Sequence, residues 1–279
     1  MRGKSQIIEE LSSIGHLPNR QLGQNFLIDG NVVKLAIRWA KIQPGNQIVE
    51  IGPGLGSITA ELLAAGAIVH AVEIDGVLLD KLREKFSAFL GNSLYLLHGD
   101  AVKFPLAGVD DGTAGAKGAK VIANLPYAIS TPWMESLLQG PLPQSMTLLL
   151  QSEAAQRLTA QAHPRYVGAI GIRLRSAYDL CCSRRVAPTC FYPIPRVNST
   201  LIHIERKEKP FLFSQPCYQT IRLLFLHRRK QMQGIIKKYF DDIRRPILIQ
   251  WLASIGKAAI RAENISMDQW QHLEMLLQR

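Results

Sequence analysis

Val49-Glu50-Ile51-Gly52-Pro53-Gly54-Leu55-Gly56 is the stretch on which the reading of this 279-residue chain turns. Ile48 to Ile51 is a short apolar run suited to a buried strand, and Ser57 to Ala65 reads as a helix. Glycines between a strand and a helix let the backbone turn tightly and approach a bound molecule without Cβ clashes. The spacing is GxGxG, one residue short of the dinucleotide-binding GxGxxG. With no pyrophosphate to hold, such a loop can pack against a smaller nucleoside. Taken alone, it is also compatible with a purely structural turn.

Outward from this unit, strands and helices alternate. Ala67 to Ile74 reads as a second strand, and Val77 to Leu90 carries Val77, Leu78, Leu82, Phe86 and Phe89 at helical spacing. Leu94 to Leu97, Lys120 to Ala123, Met146 to Leu150 and Leu201 to Glu205 are further strands. The alternation predicts an α/β fold with a mostly parallel sheet and helices on both faces. Ligands in such sheets bind at the carboxyl ends of the strands. Upstream lie an amphipathic helix, Gln6 to Ile14, and the segment Gly23 to Asp29, GQNFLID. Leu106 to Gly118 lacks periodicity and reads as a mobile surface loop, and Pro188 to Pro195 as an extended segment. After a charged linker, Arg206 to Pro210, four helices are expected: Tyr218 to Leu226, Gln231 to Phe240, Arg245 to Ile255 and Met267 to Leu277. The expected division is a catalytic domain over 1–205 and a small helical domain over 206–279.

The chain has 33 Lys and Arg against 22 Asp and Glu, a formal charge of +11. From Arg206 onward there are 14 basic and 6 acidic residues, so the last quarter holds +8 of that excess. Such a field attracts polyanions such as nucleic acid or an anionic membrane surface. Cys181, Cys182, Cys190 and Cys217 form no CxxC pair and no zinc-finger spacing, so buried reduced thiols and no metal are expected. With no apolar run near ~20 residues and no signal-peptide core, a soluble cytoplasmic protein is expected, with no membrane association.

Each strand end carries a candidate. Glu73 closes the second strand, where a carboxylate accepts both ribose hydroxyls of a nucleoside. A nicotinamide enzyme uses the same position. Asp75 beside it is a helix N-cap. Asp100 closes the third strand, where it can accept from an adenine amino group. After the fourth comes Asn124-Leu125-Pro126-Tyr127. The N6 amine of adenine is a poor nucleophile, because its lone pair is conjugated into the ring. The Asn124 side-chain oxygen and the Leu125 carbonyl can accept its two N–H groups and pull the nitrogen toward a pyramid. Pro126 fixes the turn and keeps Leu125 out of helix. Tyr127 can stack on an extruded base, and Phe191, in Phe191-Tyr192-Pro193-Ile194-Pro195-Arg196-Val197, can close its other face.

Together these residues resemble the KsgA/RsmA family of small-subunit (16S) ribosomal RNA adenine N6-dimethyltransferases. The matching segments are GQNFLID at Gly23 to Asp29, VEIGPGLG at Val49 to Gly56, EID at Glu73 to Asp75 and GDA at Gly99 to Ala101. NLPY at Asn124 to Tyr127, Ile129-Ser130-Thr131 and FYPIPRVNST at Phe191 to Thr200 complete them. The resemblance implies a Rossmann-like class I methyltransferase fold using S-adenosyl-L-methionine. It implies a cofactor site of Gln24, Asn25, Leu27, Gly52, Gly54, Gly56, Glu73, Ile74, Asp100, Ala101 and Asn124. It implies chemistry at Asn124, Leu125, Pro126, Tyr127 and Phe191, and RNA binding through Arg228, Arg229 and Lys230. The implied partner is the small ribosomal subunit, as 16S rRNA or a pre-30S particle. The implied reaction dimethylates two adjacent adenosines near the 3′ end of that RNA, during ribosome biogenesis.

Ala128, Ala123, the segment Arg196 to Thr200 and the longer Leu106 to Gly118 loop depart from the family pattern. Two alternatives stay open. One is a 23S rRNA adenine N6-methyltransferase conferring macrolide resistance, whose members usually read NIPY where this chain has Leu125. The other is an RNA-binding assembly factor with weak or no methylation. A nicotinamide-dependent oxidoreductase has no use for Asn124 to Tyr127 or for a basic domain.

Overall fold

The computed structural model describes residues 3–109, 118–159, 166–256 and 260–278. In chain order the first elements are α1 (Lys4–Ser13), β1 (Phe26–Leu27), α2 (Gly30–Trp39), β2 (Gln47–Ile51), α3 (Ser57–Ala64), β3 (Ile68–Glu73), α4 (Gly76–Lys85) and β4 (Leu94–His98). There follow β5 (Lys120–Asn124), α5 (Ser130–Leu137), β6 (Ser145–Gln151), α6 (Ser152–Thr159), α7 (Ala169–Ala177), β7 (Tyr178–Val186), β8 (Phe191–Tyr192) and β9 (Ser199–Arg206). The last are α8 (Gln215–Leu226), α9 (Met232–Tyr239), α10 (Arg244–Ser254) and α11 (Met267–Leu277).

The seven-stranded sheet has the order β4-β3-β2-β5-β6-β9-β7. The pairs from β4 through β6 are parallel, and β9 runs antiparallel to β6. Parallel strands covered on both faces read as continuous apolar runs, which is why β2, β5 and β6 are legible in the sequence. After β2 the chain builds outward through β3 and β4; after β5 it builds the other way through β6. The order therefore reverses between β2 and β5, and the crevice for a ligand lies at their carboxyl ends. Val33 and Ala36 of α2, Ile58 and Leu62 of α3 and Leu82 of α4 join Ile48, Val69, Ala71, Ile122, Leu149 and Leu201 of the strands in one core. This is the expected Rossmann-like α/β fold.

Asp75 caps α4, accepting from the amides of Val77 and Leu78. That helix is shorter than its periodicity predicts: it stops at Lys85 with Phe86 as C-cap, and Ser87–Phe89 forms a 3-10 turn. The sequence reading names no helix at α2, capped by Asp29, nor at α5, α6 or α7, and no strand at the edge strand β7 or in the small antiparallel β1–β8 pair. The predicted loop Leu106 to Gly118 begins with buried Leu106 and Ala107, and 110–117 lie outside the described residues. All four cysteines are free; Cys217 is buried, whereas Cys181 is exposed, contrary to the expectation of buried thiols.

The chain divides into two compact units, Met1–Ala155 with Asp179–Arg206, and Gln156–Tyr178 with Lys207–Arg279. A single division after residue 205 does not capture this, because Gln156–Tyr178 groups with the later helices. The second unit has its own core, in which Ile172 joins Tyr218, Trp251 and Trp270. The Trp251 and Trp270 rings lie 5.3 Å apart, and the Trp251 indole donates to the Gln269 carbonyl at 2.9 Å. Ser266 and Gln269 form a capping box that starts α11.

Candidate active site

Two adjoining cavities, of about 720 and 490 Å³, open where the carboxyl ends of β2, β3 and β5 meet. Gly52, Glu73, Ile74 and Pro126 line both. Gln24, Asn25, Leu27, Gly54, Asn124, Leu125 and Tyr127 line the first, and Asp100 and Ala101 the second. The loops after successive strands thus bring together the residues chosen from sequence, with two exceptions.

Gly56 lines neither cavity. It is the left-handed N-cap of α3, and a Cβ there would fall 2.5 Å from the Phe86 ring, so packing alone requires a glycine here. Phe191 is the second correction: it is 1% exposed and sits in the main core. Register is the cause. In the β1–β8 pair Phe191 stands opposite Leu27, and both turn into that core, whereas Phe26 and Tyr192 join a smaller cluster on α1. In this conformation the Phe191 ring has no face open to a base.

Gly52 and Gly54 take φ of +64° and +58°, a region that side chains other than glycine's rarely adopt. Their turn brings the Gly54 amide onto Glu73 Oε2 at 3.0 Å. Glu73 Oε1 accepts from the Ile74 and Asp75 amides at 3.0 and 3.1 Å. Burial pushes the Glu73 carboxyl above its usual range, and these backbone donors oppose the shift. The two amides fill both lone-pair sites of Oε1, while Oε2, with one donor, retains a site that a ribose hydroxyl can meet. Ile74 is 48% exposed, an apolar face suited to a purine beside Asp100. The donor set, the glycine turn and this open apolar side chain fit a nucleoside such as S-adenosylmethionine.

The Asn124 amide nitrogen donates to the Asn25 carbonyl at 2.8 Å. Its amide nitrogen is thereby engaged, which leaves its oxygen as the acceptor this cavity-lining residue can offer a guest. The Leu125 amide is held by the Leu149 carbonyl at 3.1 Å, which carries the turn off the end of β5. The Tyr127 hydroxyl pairs with Ser199 Oγ at 2.7 Å, and burial raises its pKa. Gln24, in the wall of the first cavity, has both ends of its amide engaged: its nitrogen donates to Asp75 at 2.8 Å, and its oxygen lies 3.1 Å from His16 Nε2. Of the departures from the family pattern, Ala128 lines the second cavity, while Ala123 is buried in β5 and lines neither.

Sequence reasoning gives no role to Glu50, Thr59 or Ser199. Glu50 is buried against the first cavity and accepts from Thr59 Oγ1 at 2.7 Å. An acidic residue inside the run Gln-Ile-Val-Glu-Ile is the available signal. In the second unit, Arg228, Arg229 and Lys230 occupy the turn between α8 and α9. Arg228 pairs with Glu263 at 2.9 Å, while Arg229 and Lys230 are exposed.

The chain also has relatives. The model of the ribosomal RNA adenine dimethylase family matches residues 15–278. A protein of Opitutus terrae named ribosomal RNA small subunit methyltransferase A is 42% identical over 271 residues, 96% of each chain. Its namesake in Chlamydia abortus is 33% identical, over 98% of this chain and 96% of that one. The crystal structure of a dimethyladenosine transferase from Plasmodium falciparum shares the fold, with a TM-score of 0.71 at 22% identity, covering 88% of this chain and 94% of that one. The 23S rRNA methyltransferase ErmE shares it at 0.65 and 21% identity, covering 91% of this chain and all of the other (100%). By the family model and the two close namesakes, this chain belongs to the ribosomal RNA adenine dimethylase family.

Proposed function

We propose that the chain uses S-adenosylmethionine to dimethylate N6 of two adjacent adenosines near the 3′ end of small-subunit ribosomal RNA. The observation that carries this reading is the Asn124 carboxamide, which lines the first cavity at the end of β5, tethered by its nitrogen with its oxygen left to accept. The cofactor, when bound, supplies an electrophilic methyl on a sulfonium. Glu73 would hold its ribose, Asp100 and Ala101 its adenine, and Gly52 and Gly54 its amino-acid arm.

The Asn124 oxygen and the Leu125 carbonyl accept from the target amine and orient its lone pair toward the methyl. Tyr127, with its hydroxyl held by Ser199, supports the extruded base with its ring. Catalysis rests on positioning, worth several orders of magnitude where geometry is right. No strong base is required, because the amine becomes acidic as the methyl arrives. Arg229 and Lys230 supply backbone contacts to RNA.

The names of the two close relatives favour the small subunit, as does Leu125 in the catalytic turn. No described helix is long and apolar enough to cross a membrane. A cytoplasmic protein acting on ribosomal particles follows from the proposed substrate. The test uses labelled S-adenosylmethionine with small subunits lacking the modification and, separately, with unmodified large subunits. Label on N6 of adjacent small-subunit adenosines is the expected result. Labelling of the large subunit alone overturns the target, and tight binding without transfer makes the chain an assembly factor.

A further inference from the structure

Glu50 is the one ionisable side chain of β2. Two residues on from Ile48, it shares that residue's face of the sheet, toward α3, where Thr59 meets it. Its sheet neighbours are apolar, Ala71 on β3 and Ile122 on β5. The first cavity opens against it, and Glu73, from the end of β3, lines the same wall. The remaining titratable group there is Tyr127, so the described wall holds two carboxyls, one phenol and no Lys, Arg or His. Burial pushes the Glu50 carboxyl up to about 8; Glu73 adds to the shift, and the Thr59 hydrogen bond opposes it.

A wall of this composition resists carrying two negative charges when empty and favours a positive guest. Resting on the cofactor reading above, we infer that Glu50 keeps its proton in the empty cavity and releases it as the cationic cofactor enters. The pocket then discriminates by charge between the sulfonium that arrives and the neutral thioether that remains after transfer. The balance is simple: the O–H bond of the Glu50 carboxyl breaks, the electron pair stays on oxygen, and the proton passes to the buffer. The incoming positive charge compensates the carboxylate left behind. Glu50 acts here as a positioning residue for charge, and the methyl transfer itself does not use it.

Titration calorimetry on the whole chain tests this, with S-adenosylmethionine at several pH values in buffers of different ionisation enthalpy. Release of close to one proton is expected near pH 7, falling away above about pH 9, where Glu50 is already ionised. S-adenosylhomocysteine, the thioether, releases fewer protons. Glu50→Gln, which keeps an acceptor for Thr59, abolishes the release and narrows the affinity ratio of the two ligands several-fold. Binding without proton release, release unchanged in Glu50→Gln, or equal release with both ligands overturns the inference and leaves the cofactor reading intact. Absence of any binding overturns both. Should Glu50→Gln not fold, the pH series on the native chain decides alone.

Discussion

Asn124 and Asn25 are joined across 99 positions of sequence by one hydrogen bond, from the side-chain amide of the first to the backbone carbonyl of the second. That bond holds the segment after the N-terminal helix against the catalytic turn and engages the donor end of the carboxamide. Asn124→Ala is expected to lower methyl transfer by about 10²–10³-fold, the usual cost of losing one preorganised polar group at a reacting centre. The stability change should stay near ~1 kcal/mol, the value of a single hydrogen bond. Labelled-methyl transfer and thermal melting on one preparation read both numbers. Full activity in the folded variant would remove Asn124 from the chemistry.

Tyr127 separates ring from hydroxyl. Tyr127→Phe deletes the bond to Ser199 Oγ and leaves the stacking surface, so a loss of about 1 kcal/mol in stability with most of the transfer rate retained is expected. Tyr127→Ala removes the ring and should cost most of the rate. Comparison of kcat for the two variants against unmodified small subunits distinguishes stacking from hydrogen bonding; equal losses would place the function in the hydroxyl.

Glu50 makes stability depend on pH. Its folded pKa, about 8, lies above the ordinary 4.5, so the folded state holds the proton more tightly. The contribution is full below pH 4.5 and is lost as pH rises through 8. Each tenfold gain in proton affinity is worth about 1.4 kcal/mol, so a few kcal/mol should disappear across that window. Chemical denaturation at a series of pH values should show a flatter profile for Glu50→Gln than for the native chain. Parallel profiles would mean that Glu50 ionises normally.

Arg228 and its two neighbours should behave differently. Arg228 already pairs with Glu263 in a partly exposed bridge, worth about 0–1 kcal/mol, so its loss is felt in the stability of the second unit. Arg229 and Lys230 are exposed and available to phosphates. Neutralising these two should reduce the slope of log affinity against log salt by about 1.4–1.8. Filter binding to small-subunit RNA at several salt concentrations measures it, and an unchanged slope takes the turn out of the footprint.

The legibility of the chain follows burial. Strands covered on both faces declare themselves as apolar runs, and glycines and acids at their ends locate the two cavities. The edge strand β7, Tyr-Asp-Leu-Cys-Cys-Ser-Arg-Arg-Val, buries only its two end residues and so carries little alternation to read. Helix α2 has a signal, the cap at Asp29, but that residue also completes the preceding GQNFLID motif, which masks it. Phe191 cannot be placed from sequence, because which face a strand residue takes depends on its register, and β8 has only two residues. Gly56 misleads for a related reason: in a glycine-rich turn, spacing alone does not separate the glycine that meets a ligand from the one that meets Phe86.

The passage of Gln156–Tyr178 into the second unit, before the chain returns to finish the sheet, governs how the molecule is made and how it can be cut. As the polypeptide emerges from the ribosome, Ile172 appears well before the other buried members of its core, which begin at Phe213. The first unit is equally incomplete at that moment, because β9 has yet to arrive. Neither unit can close on its own stretch of nascent chain. A stop codon after Arg206 would therefore yield no tidy catalytic fragment but a sheet carrying an uncovered apolar segment. A soluble excision would have to replace Gln156–Tyr178 with a short polar bridge as well.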